Sequence, residues 1–253
     1  MSNINKTIHY CWFGKSELPE HLKNCMASWR EIMPEWKIQR WDENSFDVDS
    51  LAWTREAYKA RKFAFVSDYV RLKALYDFGG IYLDTDVKLL KSLEPLVVEY
   101  GAFMGLENNN VLASAVMSAP KKHILIKKFI DYYYDTEFNV DIISNNEANV
   151  RMMTSICQSY GFIANGKEQH LIIGEGNEQK EYQLHIFPQT YFCPLDFYHN
   201  KNFTQYTHAV HLFDASWLDS DTKKNVLLER SKRHKLMLLI KSKLKQLYLQ
   251  RFK

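Results

Sequence analysis

A chain of 253 residues, 46% of them hydrophobic and 25% charged, can bury a substantial core, and with nine Gly, six Pro and four Cys it excludes disordered, collagen-like, disulfide-dense and low-complexity classes. The net charge of +3 is uneven: residues 223–253 hold 11 Lys or Arg against one acid, Glu229, a tail of +10 on a body of −7. That distribution argues against a nucleic-acid-binding body and for an acidic globular domain whose basic C-terminal attachment meets an anionic surface.

The chain opens with a β-branched and aromatic run, Thr7-Ile-His-Tyr-Cys-Trp-Phe13, ended by Gly14, which predicts a first strand. A helix is expected from residue 18 to 32, stopped by Pro34, and a second short strand over 36–41. Residues 54–78 read as helix in two pieces, with Phe65, Tyr69, Leu72, Leu75 and Tyr76 spaced to share one face. Gly79-Gly80 ends it, and Ile81-Tyr-Leu-Asp84 follows as a short apolar strand. Strands are expected at 102–106 and 111–118, helices at 120–133 and 145–160, and strands again at 170–173, 183–187 and 208–213. Strands alternating with helices predict an α/β sheet protein. No repeat or linker interrupts the chain before residue 220, so the reading is one domain over 1–221 with a basic helical extension over 222–253.

The four cysteines, Cys11, Cys25, Cys157 and Cys193, form no CxxC pair, so neither a zinc cluster nor a redox motif is signalled and reduced thiols are expected. The N-terminus lacks a basic region followed by an apolar core, and no apolar run approaches the roughly 18–20 residues that span a bilayer. A cytoplasmic protein, neither carried by a signal peptide nor integral to a membrane, is the expectation.

The strongest chemical signal is Phe78-Gly-Gly-Ile-Tyr-Leu-Asp-Thr-Asp86. A DxD triplet alone is weak, and Asp47-Val-Asp49 and Asp219-Ser-Asp221 are two more. Only Asp84 and Asp86 end an apolar strand, where α/β sheets place ligands. Two carboxylates there offer oxygen ligands to Mg²⁺ or Mn²⁺, which also bind a diphosphate; a solvated turn or helix cap is the plain alternative. In Ser67-Asp-Tyr-Val-Arg71, Asp68 and Arg71 share a helix face, either as an ordinary ion pair or as groups for sugar hydroxyls. In His208-Ala-Val-His-Leu-Phe-Asp-Ala-Ser-Trp217, His211 ends an apolar strand and is a structural histidine or a further metal ligand, while Ser216 and the Trp217 indole are donors suited to phosphate oxygens. Trp12 is a core residue or a stacking platform for a nucleobase.

Taken together and in order, His9-Tyr-Cys-Trp-Phe-Gly14, Pro34-Glu-Trp36, Trp41-Asp-Glu-Asn44, Ala64-Phe-Val-Ser-Asp-Tyr-Val-Arg71, the stretch 76–86, Tyr191-Phe-Cys-Pro194 and the stretch 208–217 resemble glycosyltransferase family 32. Its bacterial capsule and O-antigen members carry a DXD sugar-binding region, and it is related to the large glucosylating toxins. The resemblance implies a GT-A fold, a Rossmann-like nucleotide-sugar-binding mixed sheet flanked by helices. It also implies a nucleotide-sugar donor, a divalent cation and retention of anomeric configuration. On this resemblance Trp12 stacks on the donor base, Asp68 and Arg71 contact the donor sugar, and Asp84 touches sugar or ribose. Asp86 holds the metal, His211 completes the metal site, and Ser216 and Trp217 meet the diphosphate. Tyr82 is assigned with Trp12 and Trp217 to the donor site. Ser114 stands where members often have Asn, and Asn145-Asn-Glu-Ala148 where they often have a Gly-Pro pair; both departures fall toward the acceptor side.

The resemblance implies hexosyl transfer, with UDP-galactose the first choice of donor, UDP-glucose and UDP-N-acetylhexosamine open and GDP-mannose ranked below them, to a saccharide acceptor carried on polyprenyl diphosphate in surface polysaccharide synthesis. Glu107 is the protein's candidate for a nucleophile or acceptor contact. In the tail, Leu236, Ile240, Leu244, Leu247 and Tyr248 gather on one side of a helix among Lys241, Lys243, Lys245 and Arg251, which suits an anionic membrane surface at the cytoplasmic face or packing against protein. The rival readings are a haloacid-dehalogenase-like phosphohydrolase and a non-catalytic carbohydrate-binding protein.

Overall fold

A computed structural model describes residues 5–139, 148–174, 182–195 and 201–214, together with 224, 225, 228, 229, 231 and 232. Among them run the strands β1 (Thr7–Cys11), β2 (Lys37–Trp41), β3 (Gly80–Leu83), β4 (Val87–Leu89), β5 (Phe103–Leu106), β6 (Leu112–Ala119), β7 (Gln169–Ile172), β8 (Gln183–Phe187) and β9 (Ala209–His211). The helices are α1 (Glu20–Ile32), α2 (Ala52–Lys59), α3 (Phe63–Phe78), α4 (Glu94–Tyr100), α5 (Ile124–Tyr134) and α6 (Ala148–Gln158). Seven strands form one mixed sheet in the order β2-β1-β3-β6-β5-β8-β7, and β4 and β9 form a separate antiparallel ribbon. β1 pairs in parallel with β2 and β3, and β5 with β8; the β3–β6, β5–β6 and β7–β8 pairs are antiparallel.

The fold class is the expected α/β mixed sheet flanked by helices. Alternation along the strands builds a core on each face. Ile8, Tyr10, Ile81 and Leu83 meet Met26 and Trp29 of α1, Leu96 and Val97 of α4, and Val87 and Leu89 of β4. Cys11, Tyr82, Met104 and Met117 meet Trp53 of α2, Val66, Tyr69, Val70, Leu72 and Leu75 of α3, Phe129 of α5 and Met153 of α6. α3 departs from the single apolar face expected of it. Val66, Val70, Arg71 and Ala74 are buried along with Tyr69, Leu72 and Leu75, because the helix is wedged between the sheet, α2 and α5.

The Gly79-Gly80 break has a steric cause. Both residues have positive φ, 70° and 108°, and a Cβ on Gly80 would lie 2.4 Å from the Thr7 carbonyl oxygen. The pair lets α3 turn directly into β3 beside β1. Two elements had no counterpart in the sequence reading: β4, three residues long, and α4, which opens with Pro95 in its first turn. The helix expected from Pro120 starts at Ile124, after a turn with Lys122 at φ 65°.

All four cysteines are buried free thiols, as expected. Among the described residues no helix is long and apolar enough to cross a membrane. In the C-terminal segment the described residues are helical and exposed, and the apolar stripe from Leu236 to Tyr248 lies outside the described residues.

Candidate active site

Asp84 and Asp86 stand just beyond the end of β3. The Asp84 N–H makes one further hydrogen bond, to the Ala115 carbonyl at 2.9 Å, and the Val87 N–H closes a turn on the Asp84 carbonyl at 3.0 Å before β4 begins. Because β4 pairs with β9 in the register Val87 to His211, the far end of the sequence is laid directly against Asp86. His211 Nε2 lies 3.3 Å from Asp86 Oδ2. The Asp214 N–H donates to the same oxygen at 2.8 Å, and the Leu212 N–H to the Asp86 carbonyl at 3.1 Å. Burial works against the charge on Asp86, but His211 and the Asp214 N–H outweigh it and hold the carboxyl at about 2. The same pairing overrides burial at His211 and raises its imidazole well above the ordinary range.

The ligand atoms of Asp84, Asp86 and His211 all lie within 4.8 Å of one another. Neighbouring ligands on an octahedral ion with bonds of about 2.1 Å sit roughly 3 Å apart, so the 3.3 Å between Asp86 and His211 suits two ligands of one ion. Two carboxylates and an imidazole also match the donor preference of Mn²⁺ and Mg²⁺. The residues present therefore fit a divalent cation, with Asp86 the most fixed of the three.

Beside this cluster lies a network around Arg71, whose side chain is buried. Its Nη2 donates to Asp68 Oδ1 at 2.9 Å, and its Nη1 reaches Asp84 Oδ1 at 3.3 Å and both the carbonyl and hydroxyl oxygens of Ser114 at 2.9 Å. The guanidinium stands 4.8 Å from the centre of the Tyr82 ring. Tyr82 is itself buried, and it meets the cluster through its hydroxyl, which donates to Asp84 Oδ1 at 2.9 Å. Burial pushes Asp68 up to about 6, with Asp84 adding to the rise, while Arg71 and the Asn149 amide pull it down. Asp68 and Arg71 are thus an i,i+3 pair, as their spacing allows, and Arg71 is also the strut between α3, β3 and β6.

Trp12 follows β1 at the same edge of the sheet. It is half-buried, its N–H donates to the Trp41 carbonyl at 2.9 Å, and its indole N–H closes onto the Ser16 carbonyl at 2.8 Å. Glu107 lies just past β5, half-buried, in the turn closed by its N–H on the Val111 carbonyl at 3.0 Å; it is not part of the three-residue cluster. Ser216 and Trp217 lie outside the described residues. Sequence reasoning missed Asn149, whose amide donates to Asp68 Oδ1 at 2.6 Å from the start of α6, and the Asp214 backbone N–H. Ser114 stands out in the sequence only as a departure from the family pattern. Asn149 carries no such signal.

Residues 19–103 match the family model described as a glycosyltransferase sugar-binding region containing a DXD motif. The match takes in Asp68, Arg71, Tyr82, Asp84 and Asp86 and stops short of His211. Among curated proteins, the chain is 30% identical over 124 residues to an inositol phosphoceramide mannosyltransferase 3 of Schizosaccharomyces pombe, covering 47% of this chain and 34% of that one. It is 33% identical over 94 residues to a lactosylceramide 4-alpha-galactosyltransferase of Rattus norvegicus, covering 34% and 25%. The chain thus spans about a third or less of the length of these relatives. Among solved structures, the PaToxG glycosyltransferase superposes with a TM-score of 0.48 at 17% identity, over 62% of this chain and 69% of that one.

Proposed function

We propose that this chain is a metal-dependent, retaining glycosyltransferase of GT-A type that moves a hexose from a nucleotide sugar to a saccharide acceptor. The observation that carries the reading is the meeting of Asp84, Asp86 and His211 within 4.8 Å, next to the Arg71–Asp68 pair, inside and beside the matched DXD region. Asp86 and His211, with Asp84 beside them, would hold a divalent cation, which would supply charge neutralisation of the donor diphosphate. Arg71 keeps Asp84 and Asp68 in place, so that their free oxygens can accept from sugar or ribose hydroxyls. Trp12 offers a ring for the base. During transfer the bond from the anomeric carbon to the diphosphate oxygen breaks and a bond to the acceptor oxygen forms on the same face. The acceptor proton passes to the departing diphosphate, so no protein base is required, and Glu107 contacts the acceptor.

UDP-galactose is the first choice of donor. The matched relatives named for mannosyl and galactosyl transfer make GDP-mannose the comparison that has to be run. The acceptor is read as a sugar on polyprenyl diphosphate, in capsule or other surface polysaccharide synthesis. Residues 1–221 form the catalytic domain, and 222–253 hold it at an anionic membrane on the cytoplasmic side. The deciding experiment is incubation of the full chain with UDP-galactose, UDP-glucose, UDP-N-acetylglucosamine and GDP-mannose in MnCl₂. Release of nucleoside diphosphate that EDTA abolishes supports the transferase. Hydrolysis of a phosphomonoester such as p-nitrophenyl phosphate, with no nucleoside diphosphate released, supports a phosphohydrolase instead, and turnover of neither supports a carbohydrate-binding protein. For the tail, unchanged sedimentation with anionic vesicles after truncation at Asp221 would remove the membrane role.

A further inference from the structure

Residues 12–16 form a tight turn between β1 and α1, with Gly14 at φ 96° and Lys15 at φ 59°. A left-handed lysine is unfavourable backbone, so the turn keeps its shape only if its surroundings fix it. Three contacts do so. The Trp12 N–H is held by the Trp41 carbonyl at 2.9 Å, the Phe63 ring covers Gly14 so closely that a Cβ there would lie 2.4 Å away, and the Gly14 N–H donates to Glu43 Oε1 at 2.7 Å. The same Glu43 oxygen accepts from the Tyr58 hydroxyl of α2 at 2.8 Å. Burial works against the Glu43 charge, but the Gly14 N–H, its own N–H, the Tyr58 hydroxyl and Lys15 lower its carboxyl below the ordinary glutamate range. Bonds to a charged acceptor are roughly twice as strong as neutral ones. A carboxylate just past β2 therefore pins a strained turn to α2, and that turn carries Trp12.

We propose that Glu43 is a positioning residue for the nucleoside end of the donor site, acting through the Trp12 turn; this rests on the reading of Trp12 as the ring that stacks on the donor base. Glu43 reaches backbone and Tyr58 rather than the Asp84, Asp86 and His211 cluster, so its loss should weaken nucleotide binding and spare the chemical step.

The test is calorimetric titration of the full chain with UDP and with GDP in MnCl₂, following whichever binds more tightly. Glu43→Ala is expected to weaken binding about tenfold and Glu43→Gln, whose carbonyl still accepts from Gly14, by no more than about threefold. Trp12→Ala should weaken binding by about tenfold or more, and the double variant should be no weaker than Trp12→Ala alone, within about twofold. With UDP-galactose as substrate, Glu43→Ala should raise KM by the same factor and leave kcat within about twofold. Amide exchange in a peptide covering residues 12–16 should quicken in Glu43→Ala and not in Glu43→Gln. If Trp12→Ala weakens binding while Glu43→Ala does not, or if the two add in full, the role given to Glu43 is wrong. If neither substitution matters, or neither nucleotide binds, the reading of Trp12 fails and takes this one with it. Should Glu43→Ala not fold, Tyr58→Phe replaces it, with a loss of about two- to fourfold expected and unchanged affinity overturning the proposal.

Discussion

Loading of the Asp84, Asp86 and His211 cluster with Mn²⁺ is expected to expel one proton. With His211 Nε2 3.3 Å from Asp86 Oδ2, the carboxylate overrides burial and raises the imidazole above its ordinary range, so the metal-free site favours an imidazolium–carboxylate pair. Metal ligation needs the neutral ring, so below the folded value for His211 each ion bound displaces one proton, and affinity rises about tenfold per pH unit. The stability of the metal-free chain should move the other way. A raised histidine contributes stability that is complete below its unfolded value of about 6.5 and is lost as pH rises through the folded value. Asp86, held at about 2, contributes stability that is lost only as pH falls toward that value. Calorimetric Mn²⁺ titrations from about pH 6 to about pH 8, in buffers of different ionisation heat, count the protons released. His211→Ala should weaken Mn²⁺ binding by about 10- to 100-fold and abolish the proton release. Affinity of the unmodified chain that is flat across this range, or an unchanged proton count in His211→Ala, would refute His211 as a ligand.

Other substitutions probe the scaffold that holds the site. Arg71→Ala leaves Asp68 and Asp84 without their shared cation, which for a buried pair costs about 3–5 kcal/mol and in a chain of this size lowers Tm by about 10 °C in a thermal melt. Asp68 has a folded value of about 6, so the folded state binds its proton more tightly and stability from this group falls as pH rises from about 4 to about 6. Asp68→Asn should flatten that part of the Tm profile. The upper limit of the effect is about 3 kcal/mol. Gly80→Ala drives a methyl to 2.4 Å from the Thr7 carbonyl at φ 108°, so the variant should be recovered as insoluble or unfolded chain by circular dichroism, whereas Gly161→Ala meets no atom within 4 Å and should stay folded with only the modest loss that its φ of 92° imposes.

The inner strands of the main sheet are legible because β1, β3, β5 and β6 are buried, largely apolar runs, and the break at Gly79-Gly80 has a local cause. What escaped was set by partners distant in the chain. β4 is Val87-Lys-Leu89, too short to announce itself, and it is a strand because β9 lies beside it. The spacing in α3 suggests one apolar stripe, but packing on several sides buries seven of its sixteen residues, Arg71 included. Asn149 and Ser114 meet the Asp68–Arg71 pair from α6 and β6, and nothing in their neighbouring residues encodes that contact.

The DxD triplets show where local pattern stops and topology begins. In Asp47-Val-Asp49 the first carboxylate accepts the Asp49 N–H at 3.0 Å and caps a single turn of 3₁₀ helix, so the cap that is the plain alternative for Asp84 and Asp86 is realised at this triplet instead. Asp84-Thr-Asp86 is as short and as acidic, yet its second carboxylate is buried against an imidazole that arrives on β9. The residues within the triplet do not differ enough to explain this. What differs is the element before it, an apolar strand inside the sheet, and the element after it, a short strand with an open edge that β9 fills. A Tyr82 hydroxyl and an Arg71 guanidinium then hold Asp84 from the sheet side, while His211 and the Asp214 N–H hold Asp86 from the ribbon side. Two supports of independent origin fix two carboxylates whose ligand atoms lie within 4.8 Å of each other, and a site for a divalent cation needs that rigidity, because a pair of free aspartates would separate by their own repulsion.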